Sequence, residues 1–320
     1  MTLAGVKKFT AETPQIDCLL QEQFPILSKE TNASYFVEAQ NSLLINKTFK
    51  VDDEDLHKLN EDLLNVDSDV AQKIGVVYLG RQAPGANNVI DGLIRFQSKR
   101  KDVTLVGFIN GVEGLLSENY QTLEQSDFKH YRNLGGIDYI GRSRDELRSN
   151  ADKIKTAEVC KKLGLTGLVM VGATHTLTDG VYLSQFFVEQ GLQTRVIVVP
   201  CSVDGNIHHK YIRTSIGFDS ASKVYSQLIG NMLTDSASAV KYWYFIRLMG
   251  QDPSHVALEC ALKTQPNLVI VSEEVADRKE TLTNVVSNIC DNICSRAAEG
   301  KNYGAILIPE GLLHSISAFS

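Results

Sequence analysis

Short apolar runs that alternate with helical patterns constrain the fold of this chain more than any other feature. The run Val196–Val199 is wholly β-branched and is closed by Pro200, which is typical of a strand buried on both faces. Segments with helical spacing, such as Ala151–Leu163 and Asp219–Ala239, separate these runs. The alternation predicts an α/β fold with parallel sheets. The other predicted strands are Lys73–Leu79, Val103–Phe108, the run that begins at Gly167, Tyr242–Leu248, Leu268–Val271 and Tyr303–Ile308.

We expect three parts along the chain. Residues 1–70 form a polar, acidic extension, in which Asp52–Leu64 alternates charged and apolar residues at helical spacing. This pattern predicts one or two amphipathic helices that pack on the main body or on a partner subunit. Two Rossmann-like domains follow, a first α/β domain at 71–215 and a second at 216–320.

Composition excludes several classes of protein. The 320 residues are enough for two domains with sizeable cores, and the net charge of −6 gives no support to nucleic-acid or membrane-surface binding. No apolar run reaches the roughly 18 residues of a spanning helix, and no apolar signal region follows Met1. The six cysteines show no zinc-binding spacing. We therefore expect a cytoplasmic protein with reduced thiols.

A glycine-containing loop suggests an anion site. Gly80–Asn88 lies between a predicted strand and a predicted helix, an order in which backbone N–H groups at the helix start face a phosphate. Arg142 and Arg144 follow the next strand and loop, where the residues by themselves are consistent with a solvated helix start.

Asp204 stands in the loop after Pro200, beside Gly205. Open α/β sheets bind ligands at the carboxyl ends of their strands, and a carboxylate there can accept a proton from a hydroxyl nucleophile. The alternative is an aspartate that stabilises the turn.

Several motifs resemble the phosphofructokinase family, in its pyrophosphate-dependent, long-chain branch. They are Pro200-Cys201-Ser202-Val203-Asp204-Gly205-Asn206, Thr214–Ala221, Lys241–Gly250, Ser254–Glu259 and Ile308–Leu312. The similarity runs from about Ile74 to Ile316, and its departures resemble the regulatory alpha subunit of the plant enzyme. The resemblance implies the phosphofructokinase fold. Family chains continue beyond the position of Ser320, so it also implies a C-terminally truncated version of that fold.

The resemblance implies a role for each candidate site residue. Asp204 matches the general base that activates the sugar hydroxyl. The phosphate-binding candidates are Gly80, Arg81, Arg144 and Thr176. Arg81 replaces a family glycine, and Arg144 matches an arginine on the transferred phosphoryl group. The substrate-binding candidates are Ser202, Arg247, Met249, Gly250 and Glu274. Arg247 matches an arginine that reaches a sugar phosphate, and Glu274 matches a glutamate that binds sugar hydroxyls.

The departures from the family pattern fall on the donor side. Thr174 and His175 replace an acidic pair whose first aspartate holds Mg²⁺ in active relatives. Mg²⁺ prefers carboxylate oxygens, so we expect no metal and no cofactor in this chain. Cys201 replaces a lysine that touches the phosphoryl donor. Gln251 replaces an arginine, and Asn206 replaces a further acid.

The leading hypothesis is a regulatory or degenerate subunit of pyrophosphate–fructose 6-phosphate 1-phosphotransferase. Its partner is a catalytic phosphofructokinase subunit in a hetero-oligomer, or a second copy in a homo-oligomer, and its ligand is a fructose phosphate. Three alternatives stay open. The chain is an active pyrophosphate-dependent phosphofructokinase, a non-enzymatic sugar-phosphate-binding module, or a truncated copy without an independent role.

Overall fold

The computed structural model describes residues 71–80, 82–100, 102–143, 147–207, 212, 215–250 and 254–316. The predicted N-terminal extension lies outside these residues, as do Arg81, Arg144 and Gln251. The strands are β1 Gln72–Tyr78, β2 Val103–Phe108, β3 Tyr120–Thr122, β4 Gly167–Gly172, β5 Arg195–Pro200, β6 Trp243–Leu248, β7 Leu268–Val269 and β8 Gly304–Pro309.

The helices alternate with the strands, as the sequence predicts. They are α1 Ala86–Ser98, α2 Val112–Ser117, α3 Gln125–Phe128, α4 Asn150–Leu163, α5 Thr174–Glu189, α6 Phe218–Ala239, α7 His255–Thr264, α8 Ser272–Asp277, α9 Leu282–Ala298 and α10 Leu312–Ser315, with one 3₁₀ turn at Lys129–Tyr131. The α/β fold class is therefore confirmed, while the domain boundary at residue 215 stays a prediction.

The first sheet has the strand order β3-β2-β1-β4-β5. Strands β2, β1, β4 and β5 are parallel, and β3 is antiparallel to β2. Alternate residues of β1 enter two different cores, because successive side chains of a strand point to opposite faces. Val76 and Tyr78 pack with α1, whereas Val77 packs with α2, α4 and α5. Since the four strands are parallel, their carboxyl ends share one edge.

The second sheet has the order β6-β8-β7, and its pairs are parallel. Leu248 and Leu307 pack with α6 and α7 on one face. On the other face, Ile308 packs against a cluster of buried residues from α8, α9 and α10. The carboxyl ends of β6, β7 and β8 again share one edge.

One prediction about burial is wrong. Strand β5 was predicted to be buried on both faces, but Ile197 is 56% exposed, because β5 is an edge strand with β4 as its neighbour in the described sheet. The apolar side chains of helix α6 are divided between the core and the surface. Leu233 packs against the core, whereas Val224, Leu228 and Met232 are 40–54% exposed.

One helix boundary also differs from the prediction. The sequence predicts a helix from Thr178 to Gln190, whereas α5 begins at Thr174. The additional first turn contains Thr174, His175 and Thr176, which the sequence pattern placed in a loop. This difference matters because the first turn of a helix presents unpaired backbone N–H groups.

Two mid-helix glycines give opposite predictions for the same substitution. A Cβ on Gly230 of α6 would meet nothing within 4 Å, whereas a Cβ on Gly180 of α5 would collide with Val198 of β5. We expect Gly230→Ala to stabilise the fold by about 0.5–1 kcal/mol. Gly180→Ala should destabilise it by about 1–3 kcal/mol through overpacking. Urea unfolding of the two variants measures both effects, and equal shifts would contradict the α5–β5 packing.

Candidate functional site

The loops at the carboxyl edge of the first sheet pack closely against one another. Gly111, after β2, has φ +65°, and a Cβ there would lie 2.6 Å from both the Ser143 amide nitrogen and the Tyr78 carbonyl oxygen. A Cβ on Gly172, after β4, would lie 2.7 Å from the Leu79 carbonyl oxygen and would collide with Thr176. The loops after β1, β2 and β4 therefore meet at one place, as the parallel topology predicts.

The N-terminus of α5 opens at this edge. Its N-cap residue, Ala173, makes no side-chain capping hydrogen bond. The Thr176 amide donates to the Ala173 carbonyl at 2.9 Å, so the amides of Thr174 and His175 are the ones suited to bind an anion. Thr174 and His175 are exposed in this turn, whereas Thr176 is buried. The Thr176 hydroxyl lies 3.9 Å from the position a Cβ on Gly80 would take. The structure thus brings together two predicted phosphate-binding residues, Gly80 and Thr176.

Arg148 is a further cation at this edge that sequence reasoning missed. One of its terminal nitrogens lies 3.1 Å from His175 Nδ1, and its Nε lies 3.6 Å from Asp179 Oδ1. The Leu147 amide donates to Asp179 Oδ2 at 3.3 Å, so the buried Asp179 anchors this segment on α5. The signal was the run of arginines at 142, 144 and 148, and the fold shows that Arg148 contacts the helix.

A buried hydrogen-bond network fixes the start of α1. The Tyr78 hydroxyl donates to Asn87 Oδ1 at 3.1 Å. Asn87 Nδ2 donates to the Gly135 carbonyl at 3.0 Å and to Asp138 Oδ1 at 2.9 Å. Burial, followed by nearby Cys201 and Asp138, raises the pKa of the Tyr78 hydroxyl, which therefore stays protonated and donates. The network ties together β1, α1 and the loop that contains Gly135. It thereby supports the loop Gly80–Asn88, which we call the anion loop.

Asp204 lies half-buried in the loop after β5. Its amide donates to Ser202 Oγ at 3.1 Å, so the buried Ser202 hydroxyl shapes the loop. The pKa of the Tyr225 hydroxyl is raised by burial first and then by Cys260, Glu310 and Asp204. Asp204 and Glu310, from the two sheets, therefore approach the same tyrosine of α6.

The predicted sugar-side residues after β6 meet the anion loop. Gln82 Nε2 lies 4.0 Å from Met249 Sδ, which joins the carboxyl edges of the two sheets. Gly250 has φ +143°, and its amide donates to Glu310 Oε2 at 3.4 Å. Gln82 and Glu310 were missed as site residues, although both lie within motifs that the sequence singled out.

Two other predicted substrate residues have different surroundings. Glu274 is exposed on α8 and pairs with Arg278 at 2.9 Å. Its neighbour Glu273 accepts instead from the Ser254 amide at 2.8 Å. Arg247 is exposed on β6, on the strand face opposite Leu248. Their roles toward a sugar phosphate stay predictions.

The residues at the start of α5 do not fit a magnesium ion. Mg²⁺ takes oxygen ligands, chiefly carboxylates, and the first turn offers a hydroxyl and an imidazole at Thr174 and His175. Within the described part of the chain, no three His, Cys, Asp or Glu side chains are grouped so that they could hold a metal ion.

Cys201 is wholly buried in the core under α1. Burial raises the pKa of its thiol to about 11, while the Gly85 amide acts in the opposite direction. The thiol is therefore protonated near neutral pH, with about one in a thousand ionised at pH 8. It offers no charge to a phosphoryl donor.

We predict that native protein at pH 8 shows two classes of cysteine among the described residues. Cys290 and Cys294 are exposed, whereas Cys160, Cys201 and Cys260 are buried. Iodoacetamide should modify the first pair within minutes and the buried three only in urea, because the thiolate is the reactive form. Peptide mass spectrometry measures the sites. Native labelling of Cys201 as fast as that of Cys290 would contradict its burial.

A profile of the family described as "Phosphofructokinase" matches residues 73–318. The chain is 44% identical over 248 residues to a pyrophosphate–fructose 6-phosphate 1-phosphotransferase of Treponema pallidum, covering 76% of this chain and 43% of that protein. It is 43% identical to subunit alpha 2 of the Arabidopsis thaliana enzyme (77% and 40% covered) and 46% identical to its subunit beta 1 (76% and 43%). The chain thus spans less than half the length of these relatives.

Solved structures with the same fold are also phosphofructokinases. The T-state enzyme of Pichia pastoris superposes with a TM-score of 0.63 at 16% identity, covering 77% of this chain and 26% of that one. The pyrophosphate-dependent enzyme of Marinobacter aquaeolei gives 0.62 at 16% identity, covering 75% and 60%. No helix within the described ranges is long and apolar enough to span a membrane.

Proposed function

Because this chain belongs to the phosphofructokinase family, we propose that it is a non-catalytic, regulatory subunit of a pyrophosphate–fructose 6-phosphate 1-phosphotransferase. The observation that carries the proposal is the composition of the first turn of α5. Thr174 and His175 stand there, at the carboxyl edge of the sheet, in place of the family's acidic pair. Relatives include both alpha and beta subunits of plant enzymes, so similarity alone does not choose between the roles.

The donor side has lost charge at two places. Phosphoryl transfer depends mainly on electrostatic stabilisation of the transferring group. Without a carboxylate at Thr174, Mg²⁺ loses its protein ligand. Because Cys201 stands where the family has a lysine, the donor side lacks one cation. The Cys201 thiol cannot replace it, since it is fully buried in the core. Each loss should lower the rate by about 10²–10³, by analogy with single-donor deletions.

The site keeps features that suit an anionic sugar ligand. Arg148 lies beside the open amides at the start of α5, and we propose Gly80, Arg81, Arg144 and Thr176 as the rest of the phosphate-binding set. On the other side, the Gly250 amide donates to Glu310, Met249 lies beside Gln82, and Asp204 and Glu310 both act on the Tyr225 hydroxyl. We propose that a fructose phosphate binds there and reports metabolite concentration to a partner.

A second candidate is a working pyrophosphate-dependent enzyme, and the half-buried Asp204 favours it. By the resemblance, this carboxylate matches the family's general base, and it is half-buried in the loop after β5. A base acts only on a bound acceptor with a positioned donor. The third candidate, a sugar-phosphate-binding module, would bind ligand without any partner subunit.

We predict that the isolated chain forms no appreciable fructose 1,6-bisphosphate from pyrophosphate or ATP with millimolar Mg²⁺. The physical reason is the loss of donor-side charge at Thr174, His175 and Cys201. A coupled assay measures turnover, and Asp204→Asn is the matched control. Turnover near one per second that Asp204→Asn abolishes would overturn the regulatory proposal and favour the enzyme.

We also predict that co-expression with a catalytic family member yields a stable mixed oligomer. Exposed apolar side chains on α6 (Val224, Leu228 and Met232) and on β6 (Phe245) favour burial against another chain. Co-purification followed by light scattering measures the assembly, with Leu228→Lys as an interface variant. A monodisperse, thermally stable monomer that ignores the catalytic chain would argue against a subunit role.

A further inference from the structure

Among the described residues, strand β5 and helix α1 border an apolar surface on which Ile197 and Phe96 stay exposed. Ile197 lies on the α1 side of the sheet, because it alternates with Val196 and Val198, which pack with α5 on the other side. Its register partner Val169 is nearly buried under α1, yet Ile197 itself is 56% exposed. We call this surface the β5 groove, bordered by Ile197 and by the flank of α1 that faces β5.

The identity of that flank follows from the residues on the other side of α1. Asp91 and Arg95 line a cavity with the segment 125–132, and Gln97 and Ser98 line another with Thr104 and Thr122. That side of α1 therefore faces β2, β3 and α3. The opposite flank carries Val89, Leu93 and Phe96, at helical spacing. Val89 and Leu93 are partly buried and Phe96 is 40% exposed.

The amino end of the groove has a basic rim. Arg195 is the first residue of β5 and is exposed. Lys99 and Arg100 follow the last turn of α1, and the Arg100 guanidinium lies 5.5 Å above the Phe96 ring. Asp102 is 3.9 Å from Arg100, so the rim carries three cations against one described acid. An apolar groove with such a rim suits an acidic amphipathic segment.

We propose that the acidic segment 51–70 of this same chain occupies the β5 groove. The segment reads VDDEDLHKLNEDLLNVDSDV, with eight acidic residues against one lysine, and Leu56, Leu59 and Leu63 recur at helical spacing. It leads directly into β1, which begins at Gln72 at the amino edge of the sheet. Chain length alone therefore holds Asp67 and Asp69 within about 30 Å of Arg195 on the basic rim.

The dimensions of the segment and the groove agree. Residues 52–64 would form a helix about 20 Å long, and a six-residue strand such as β5 is also about 20 Å long. Strands β1 and β5 are separated by β4 alone, so their axes are about 10 Å apart. The residues between 64 and 72 span that distance easily.

Charge disfavours a second copy as the occupant. A second copy would bring the same basic rim, and the one described acid beside it, Asp102, already lies 3.9 Å from Arg100. A second copy therefore offers the rim little complementary charge. The acidic segment instead brings charge complementary to the rim, and its leucines can pack on the apolar surface. Because it is joined to β1, its docking costs only the entropy of ordering the segment and the short link between residues 64 and 72. In this arrangement it also shields β5, an exposed edge strand that is otherwise a template for aggregation.

Photocrosslinking in the full-length chain tests the proposal. Benzoylphenylalanine replaces Ile197, and in the matched control it replaces Ile154, which is 50% exposed on α4 at the other face of the sheet. We expect crosslinks from position 197 to residues 51–70 of the same polypeptide, at monomer mass, and none to that segment from position 154. Arg195→Glu should lower the yield roughly threefold.

Two crosslinking outcomes would overturn the proposal. A product of dimer mass from position 197 would assign the groove to a second copy, and no crosslink to residues 51–70 would leave the segment elsewhere. Hydrogen exchange provides an independent measurement. Replacing Asp62, Asp67 and Asp69 by asparagine in the full chain should speed exchange at the outer edge of β5, whereas unchanged exchange would count against docking.

Discussion

The parallel register of β2, β1, β4 and β5 is the constraint on which the site depends. Because these strands run in one direction, the loops that follow β1, β2, β4 and β5 all leave from the same edge. Glycines then allow backbone to pass against backbone, most clearly at Gly111, which has a positive φ and lies against both Tyr78 and Ser143. In the second sheet, β6, β7 and β8 are also parallel, so their carboxyl ends share an edge as well. Gln82 contacts Met249 where the two edges face each other.

Within that frame, the two halves of the site differ in charge. On one side, the carboxylates of Asp204 and Glu310 contribute to raising the pKa of the Tyr225 hydroxyl. On the other side, the start of α5 has an arginine and an imidazole beside it and no carboxylate at Thr174 or His175. The proposed function depends on this difference, because such a site is suited to holding an anion and poorly suited to stabilising a phosphoryl group in transit.

Much of the fold was readable from the sequence because strand and helix periods are local properties. The alternation of apolar runs placed the strands of both sheets, and the motifs around Asp204 and Met249 pointed to the correct edge. Burial was less predictable, since Val196–Val199 has the composition of an internal strand and yet lies at the edge of the sheet. Arg148 and Glu310 could not be chosen from sequence, because their partners lie 27 to 60 residues away. The start of α5 was misplaced because Thr and His carry weak helix signals, and packing decided the boundary.

The contact between the anion loop and the start of α6 has a mechanical consequence. A Cβ on Gly85 would collide with Ile216 and lie 3.0 Å from the Gly217 amide nitrogen, while Cys201 pairs with Ile216 as an isolated bridge. The loop that precedes α1 therefore packs directly against the residues before α6, with no space for an additional methyl group between them. The start of helix α6 and the loop before α1 are therefore in direct contact, so neither can shift toward the other without a steric clash.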